Sequence, residues 1–239
     1  MNNKKANAIT IAMNVLVIFT VYNSNCNSNA VNFNSSYTFN SNVKSEFIEE
    51  YKIKIEELRY KEEQERIARE LEIKLEEERV KNVNYNPNNL LITTGLKSNE
   101  LQEILPDSMK HLASAIVGAE EEYQISALFI ASVAALESGW ATSSRAKNSN
   151  NLTGMAVYGD ESPGIYYNSQ EACIYDTARQ LKKNYLTEGG MFHNGYSSYS
   201  VNIKYCESKD WYIKVDKIAY QLLDKYDKIF RRKHDNWSN

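Results

Sequence analysis

The chain has 239 residues, enough for one medium domain plus extensions. Its 28 basic and 31 acidic residues nearly balance, which excludes a nucleic-acid binder driven by bulk positive charge. His111, His193 and His234 are scattered without ligand spacing, so neither a metal nor a cofactor is expected.

Residues 1–30 carry Lys4 and Lys5 ahead of an apolar run from Ala8 to Tyr22, with no acidic residue before Glu46. This is the pattern of a secretory signal, and Ser28-Asn29-Ala30 supplies a small-x-small cleavage site. The run is short against the ~18–20 residues of a spanning helix, yet an uncleaved membrane anchor is the alternative. In either case the two lysines place the rest of the chain outside the cytoplasm. Residues 31–43, rich in Asn and Ser, read as a flexible linker.

Residues 44–83 change character. Between Lys44 and Lys81 stand 13 acidic and 10 basic residues, with no Gly or Pro, which predicts one long charged helix. Ile48, Tyr51, Ile55 and Leu58 follow 3-4-3 spacing; Glu62 and Glu65 interrupt the seam; Ile67, Leu71 and Leu75 resume it on a shifted stripe. Two readings fit: a coiled-coil stalk that builds a homo-oligomer through 44–81, or a single helix held by i,i+4 ion pairs. Pro87 and its asparagines end the helix, and 84–104 read as a second linker.

The rest, 105–230, reads as a mainly α-helical domain with one small β excursion, followed by a tail over 231–239. Met109, Leu112, Ala115, Ile116 and Ala119 mark an amphipathic helix over Ser108–Tyr123. The next helix opens at Gln124 or Ser126 and is apolar on most faces through Leu136, which predicts a core position. Gly, Asp and Pro around short β-type runs from Gly154 to Tyr167 suggest a hairpin or long loop. Asn168 with Glu171 resembles a capping box for a helix through Leu181. Asp210 caps a last helix carrying Trp211, Val215, Ile218, Leu222 and Tyr226, with Trp211 read as core. An exported chain permits a Cys173–Cys206 disulfide, but two small buried thiols are the simpler reading.

One carboxylate stands out. Glu137 closes the apolar helix in Ala131-Ser132-Val133-Ala134-Ala135-Leu136-Glu137-Ser138-Gly139-Trp140. Burying a charge is costly, so such a group is paired, raised in pKa or set at a cleft. A carboxylic acid kept protonated near neutral pH is what glycoside cleavage needs to protonate the leaving oxygen. Glu137 is therefore a candidate general acid; the plainer alternative is a Glu on the exposed rim of a core helix. Asp160 and Glu161 are the acids of the β excursion, and either can serve as a second carboxylate, Glu161 being slightly preferred, or simply as a solvated turn pair. Trp140, Tyr158, Tyr166, Tyr167 and Tyr205 are candidates for sugar contacts, although aromatics more often pack. Tyr205 and Tyr158 are favoured among them, and Trp140 reads mostly as packing beneath Glu137.

After Ala-Leu-Glu-Ser-Gly-Trp come Thr142-Ser143, Ala146-Lys147 and Asn150-Asn151-Leu152-Thr153-Gly154. This succession resembles the bacterial glucosaminidase family, glycoside hydrolase family 73, and the similarity runs from Leu105-Pro106-Asp107 to Tyr205 and Trp211–Leu223. The resemblance implies a lysozyme-like α-helical fold and cleavage of peptidoglycan glycan strands at the β-1,4 bond between N-acetylglucosamine and N-acetylmuramic acid. It implies Glu137 as proton donor, Tyr205 as a cleft tyrosine assisting catalysis, and Asn151 and Gly154 as the turn shaping the floor beside the glutamate. Inverting, retaining and substrate-assisted routes all stay open. The rival readings are a muramidase or lytic transglycosylase on the same fold, and a glycan-binding scaffold without activity.

Overall fold

A computed structural model describes residues 41–155 and 164–231, with side chains from Ile48 onward. The signal or anchor expected over 1–30 lies outside the described residues, as do 232–239 of the tail. Residues up to Glu63 and residues from Gln64 form two separate units. Among the described residues no helix is long and apolar enough to cross a membrane.

Helix α1 spans Ser41–Asn82, as its unbroken run of helix formers predicts. In the first unit it carries Ile48, Tyr51 and Leu58, 47–53% exposed. In the second it carries Ile67, Leu71 and Leu75, 46–58% exposed, so these apolar residues find no cover among the described residues. Lys52–Glu49 and Arg66–Glu70 are ion pairs along the helix, each exposed and worth a few tenths of a kcal/mol at most.

The last turn of α1 differs, because it enters the core of the second unit. Val80, Val83 and Tyr85 are buried. Arg79 donates to Glu100 at 2.5 and 3.0 Å, to Glu76 and to the carbonyl of Gly95. Lys97 also reaches Glu76, and these two cations hold the Glu76 carboxyl down at about 2. Arg231 donates to the carbonyls of Val80 and Val83.

The expected linker over 84–104 is likewise part of the core. Leu90, Leu96, Leu101 and Ile104 are buried, and 98–104 form the short helix α2 (Ser98–Ile104). Its extended part satisfies its backbone against distant loops: Leu90 N–H to Tyr196 O, Ser126 N–H to Leu90 O, and Ser198 N–H to Pro87 O, each 2.9 Å. Aperiodic spacing of these leucines concealed a segment whose burial is entirely tertiary.

The remainder is helical, as expected. A 3₁₀ turn, Lys110–Leu112, leads into α3 (Ala113–Tyr123); then come α4 (Ala127–Ser138) and α5 (Ser144–Ser149). Helix α6 (Gln170–Gln180) runs on as a π turn over Leu181–Tyr185. Helices α7 (Ser198–Tyr205) and α8 (Trp211–Tyr226) follow, the last extended by a π turn over Asp227–Arg231. Serines start four of them: the hydroxyls of Ser126, Ser143, Ser169 and Ser197 accept from backbone N–H groups three residues on. The cap of α6 is thus Ser169, one residue past the expected Asn168. Helix α4 is buried from Ala127 to Ala135 and forms the axis against which α3, α6 and α8 pack. Glu120, itself buried, ties α3 to this axis by accepting from Ala127 N–H and from the N–H and hydroxyl of Thr94. The described parts of 154–167 contain no strand; an Ile165 N–H to Met155 O bond of 3.0 Å closes the base of this excursion, and 156–163 lie outside the described residues.

Candidate active site

Glu137 is the penultimate residue of the central helix, and the chain leaves it through an unusual turn. Gly139, Trp140 and Ala141 all adopt left-handed backbone, with φ of 57°, 62° and 61°. That conformation is cheap for glycine, but costs roughly 1–2 kcal/mol for each of the other two. The turn is held by Ser138. Its buried hydroxyl donates to Ala134 O at 2.5 Å and accepts from Ala141 N–H at 2.7 Å. Its carbonyl accepts from the N–H groups of Thr142 and Ser143. Ser108 donates to Trp140 O at 2.7 Å, fixing the turn against the segment that precedes α3. The Glu-Ser-Gly-Trp string is thus a device for stopping a buried helix one residue past its acid.

The carboxyl of Glu137 meets the start of α8. Trp211 Nε1–H donates to Glu137 Oε1 at 2.7 Å. Trp211 is 3% exposed and cannot swing. Its ring lies 4.6 Å from that of Tyr205 and 6.3 Å, edge on, from Phe129. Tyr205 in turn packs on Tyr185 at 5.7 Å. Glu137 as a residue is open to solvent, while its carboxyl backs onto this aromatic wall. Desolvation there raises its pKa above the ordinary 4.5, and the Trp211 hydrogen bond partly offsets the rise. The phenol of Tyr205 is buried without a hydrogen-bond partner among the described residues. Burial, then the neighbouring Glu137 charge, drives its pKa well above 10, so it stays a neutral donor. A carboxylic acid protonated beyond the usual range, beside a neutral phenol, can donate a proton to an oxygen brought against it.

The other expected residues fall in three groups. Trp140 is half-buried and packs on the core beside Glu137. Asn151 is 1% exposed, and its amide spans the neck of the excursion: it donates to Met155 O and Ile165 O and accepts from Met155 N–H. Gly154 has φ of 66° and open space where a Cβ would stand. Tyr158, Asp160 and Glu161 lie outside the described residues. Tyr166 is exposed, and Tyr167 is buried with its hydroxyl donating to Asp176. Cys173 and Cys206 are free thiols.

Sequence reasoning missed two residues here. Trp211 was expected in the core and is there, but its polar tip faces the acid. Ser138 carries no sequence signal of its own, since its part is to hold a backbone turn. The available signal was the burial rule for Trp: a buried indole N–H seeks an acceptor, and Glu137 was the carboxylate already singled out.

Residues 113–228 match the family model "Glucosaminidase: Mannosyl-glycoprotein endo-beta-N-acetylglucosaminidase". Two proteins of Streptococcus pneumoniae, each named "Putative endo-beta-N-acetylglucosaminidase", are 30% identical to this chain over 110 residues. The match takes in 45% of this chain, and the chain spans only 16% and 15% of the length of those relatives. Among solved structures, similarity is found to S. aureus autolysin E as a catalytic mutant in complex with the disaccharide NAG-NAM. That pair is 15% identical over 63% of this chain and 76% of the other, with a TM-score of 0.49. The same enzyme in complex with the muropeptide NAM-L-ALA-D-iGLU gives 17% identity over 64% and 78%, with a TM-score of 0.49. Residues 113–228 therefore form a domain of the glucosaminidase family of glycoside hydrolases.

Proposed function

We propose that this chain is an exported peptidoglycan hydrolase that cleaves the β-1,4 bond between N-acetylglucosamine and N-acetylmuramic acid, with Glu137 as general acid. One observation carries the reading: a carboxyl of raised pKa at the end of a buried helix, gripped by Trp211 and flanked by an unpartnered Tyr205 phenol, within a glucosaminidase domain. Glu137 delivers its proton to the glycosidic oxygen as that oxygen leaves. Tyr205 assists from the wall behind the acid, its buried neutral phenol facing the charge that develops on Glu137. Asn151 and Gly154 hold the base of the excursion beside the acid, and Tyr158 and Trp140 contact sugar. Asp160 or Glu161 supplies the second carboxylate, which activates water or steadies the oxocarbenium-like transition state.

The N-terminal segment exports or anchors the chain, and α1 is the stalk that follows it. The exposed apolar residues of α1 suit a helical partner such as a second copy; a monomeric mass at every concentration tested removes that part of the reading.

The decisive experiment digests purified peptidoglycan with the protein, reduces the products with borohydride and weighs them, with Glu137→Gln alongside. New reducing ends on N-acetylglucosamine, absent from the variant, establish the glucosaminidase. Ends on muramic acid, reduced or anhydro, move it to muramidase or transglycosylase chemistry. Binding to the wall without any release returns it to a scaffold.

A further inference from the structure

The Trp211–Glu137 contact has a direction. An indole N–H can only donate, so it needs an acceptor at Oε1. A protonated carboxyl offers two unlike oxygens: the carbonyl oxygen, a good acceptor, and the hydroxyl oxygen, a poorer one whose hydrogen must point elsewhere. Trp211 is the hydrogen-bond partner of the Glu137 side chain among the described residues. The indole is buried between Tyr205 and Phe129, so the donor is not free to turn away from Glu137.

We propose that Trp211 is a positioning residue that assigns the acid proton of Glu137 to Oε2, by reserving Oε1 as the acceptor of its indole N–H. This rests on the general-acid role proposed above and deepens it. Two effects combine in one contact. The carboxyl plane is pinned, so that the proton leaves from one oxygen in one direction. The same donor favours the carboxylate that remains once the proton has gone, and so limits how far burial can weaken the acid. The proton passes from Oε2 to the leaving oxygen, its O–H bonding pair stays on the carboxylate, and Trp211 keeps its own proton throughout.

The test reads the indole directly. Full-length protein is labelled with ¹⁵N-tryptophan, and the resonance lost in Trp211→Phe identifies Trp211 among the three tryptophans. Its Nε1–H is expected to shift with pH in one step, with a midpoint above 4.5, and Glu137→Gln is expected to abolish the step. The glutamine amide can offer its oxygen to Trp211 and hold its NH₂ where the proton is assigned. The Glu137→Gln resonance should therefore lie near the low-pH limit of the wild type. In turnover, Trp211→Phe should lower kcat about 10-fold with KM within twofold, and move the basic limb of the kcat profile up by about one pH unit, the size of one charge-assisted hydrogen bond. An indole resonance that does not titrate, or a Glu137→Gln resonance at the high-pH limit, overturns the assignment. So does a Trp211→Phe basic limb that stays in place. If the wild type releases no glycan, the hydrolase reading fails on its own, and the titration still decides the contact.

Discussion

Replacing Ser138 by alanine tests whether the left-handed turn after Glu137 is held in the way described. The hydroxyl is the acceptor for Ala141 N–H, which is left buried and unpaired when it goes; Ala141 is 6% exposed. An orphaned buried N–H costs about 1–3 kcal/mol, and the better helix propensity of alanine returns about 0.5. The net loss is about 1–2 kcal/mol, which for a domain of this size lowers Tm by about 3–6 °C. Activity should suffer more than stability. Trp140 and Ala141 are strained, and without the Ser138 anchor they relax toward ordinary backbone, carrying the last turn of α4 with them. A displacement of about 1 Å at a catalytic group costs on the order of 100-fold in rate. Thermal melts by circular dichroism and initial rates of glycan release measure the two effects. The companion variant Ala141→Gly relieves about 1 kcal/mol of strain and loses one buried methyl worth about 0.8, so its Tm should stay within about 2 °C of wild type. The reasoning is refuted if Ser138→Ala melts and turns over like wild type, or if Ala141→Gly is the more damaging of the two.

Other expectations follow from the same geometry. The carboxyl of Glu137 has a raised pKa, so the stability linked to its proton is present below 4.5 and lost as pH rises through the folded value; kcat should fall across the same interval, and Glu137→Gln should melt higher than wild type at pH 7, with the gap closing below 4.5. Adding a Cβ at Gly190 meets three backbone oxygens at 2.7–2.9 Å, so Gly190→Ala should cost about 1–3 kcal/mol in urea denaturation. At Gly118 the obstacle is the tip of the Tyr175 side chain, which can swing away, so Gly118→Ala should cost under about 1 kcal/mol. Arg79→Met leaves the nearly buried Glu100 without its cation and should cost about 3–5 kcal/mol, while Lys97→Met, which loses the half-exposed pair with Glu76, should cost about 0–1; equal losses would contradict the ranking.

How much of this was legible in the sequence divides along physical lines. Helices whose burial follows their own period were legible: α4 is apolar all round, and α8 carries a clear stripe ending in Tyr226. The long charged α1 was legible because nothing in it stops a helix. The segment 84–104 was not, since its leucines are spaced by tertiary packing and it is rich in the residues that mark loops. Helix α7 escaped for a related reason: at eight residues it carries barely two turns of pattern. In the candidate site, Glu137 stood out by its chemistry and Tyr205 through the family resemblance. Trp211 and Ser138 did not, because their roles depend on partners 74 residues away and on a backbone turn respectively.

The placement of Glu137 follows from competing electrostatic terms. A carboxylate near the C-terminal end of a helix faces the negative end of the helix dipole, which disfavours its charge. Burial against the aromatic wall works in the same direction. Both terms weaken the acid. The Trp211 N–H acts the other way, and it comes from the N-terminal residue of α8. The acid strength of Glu137 is therefore set by the packing of α4 against α8, which is also the central contact of the core. Substitutions that loosen that packing, even far from the cleft, should move the pH profile as well as the melting temperature. A variant at Val215 or Leu222, buried on α8 and remote in sequence from the acid, that lowers Tm while leaving the basic limb fixed would separate the two and contradict this coupling.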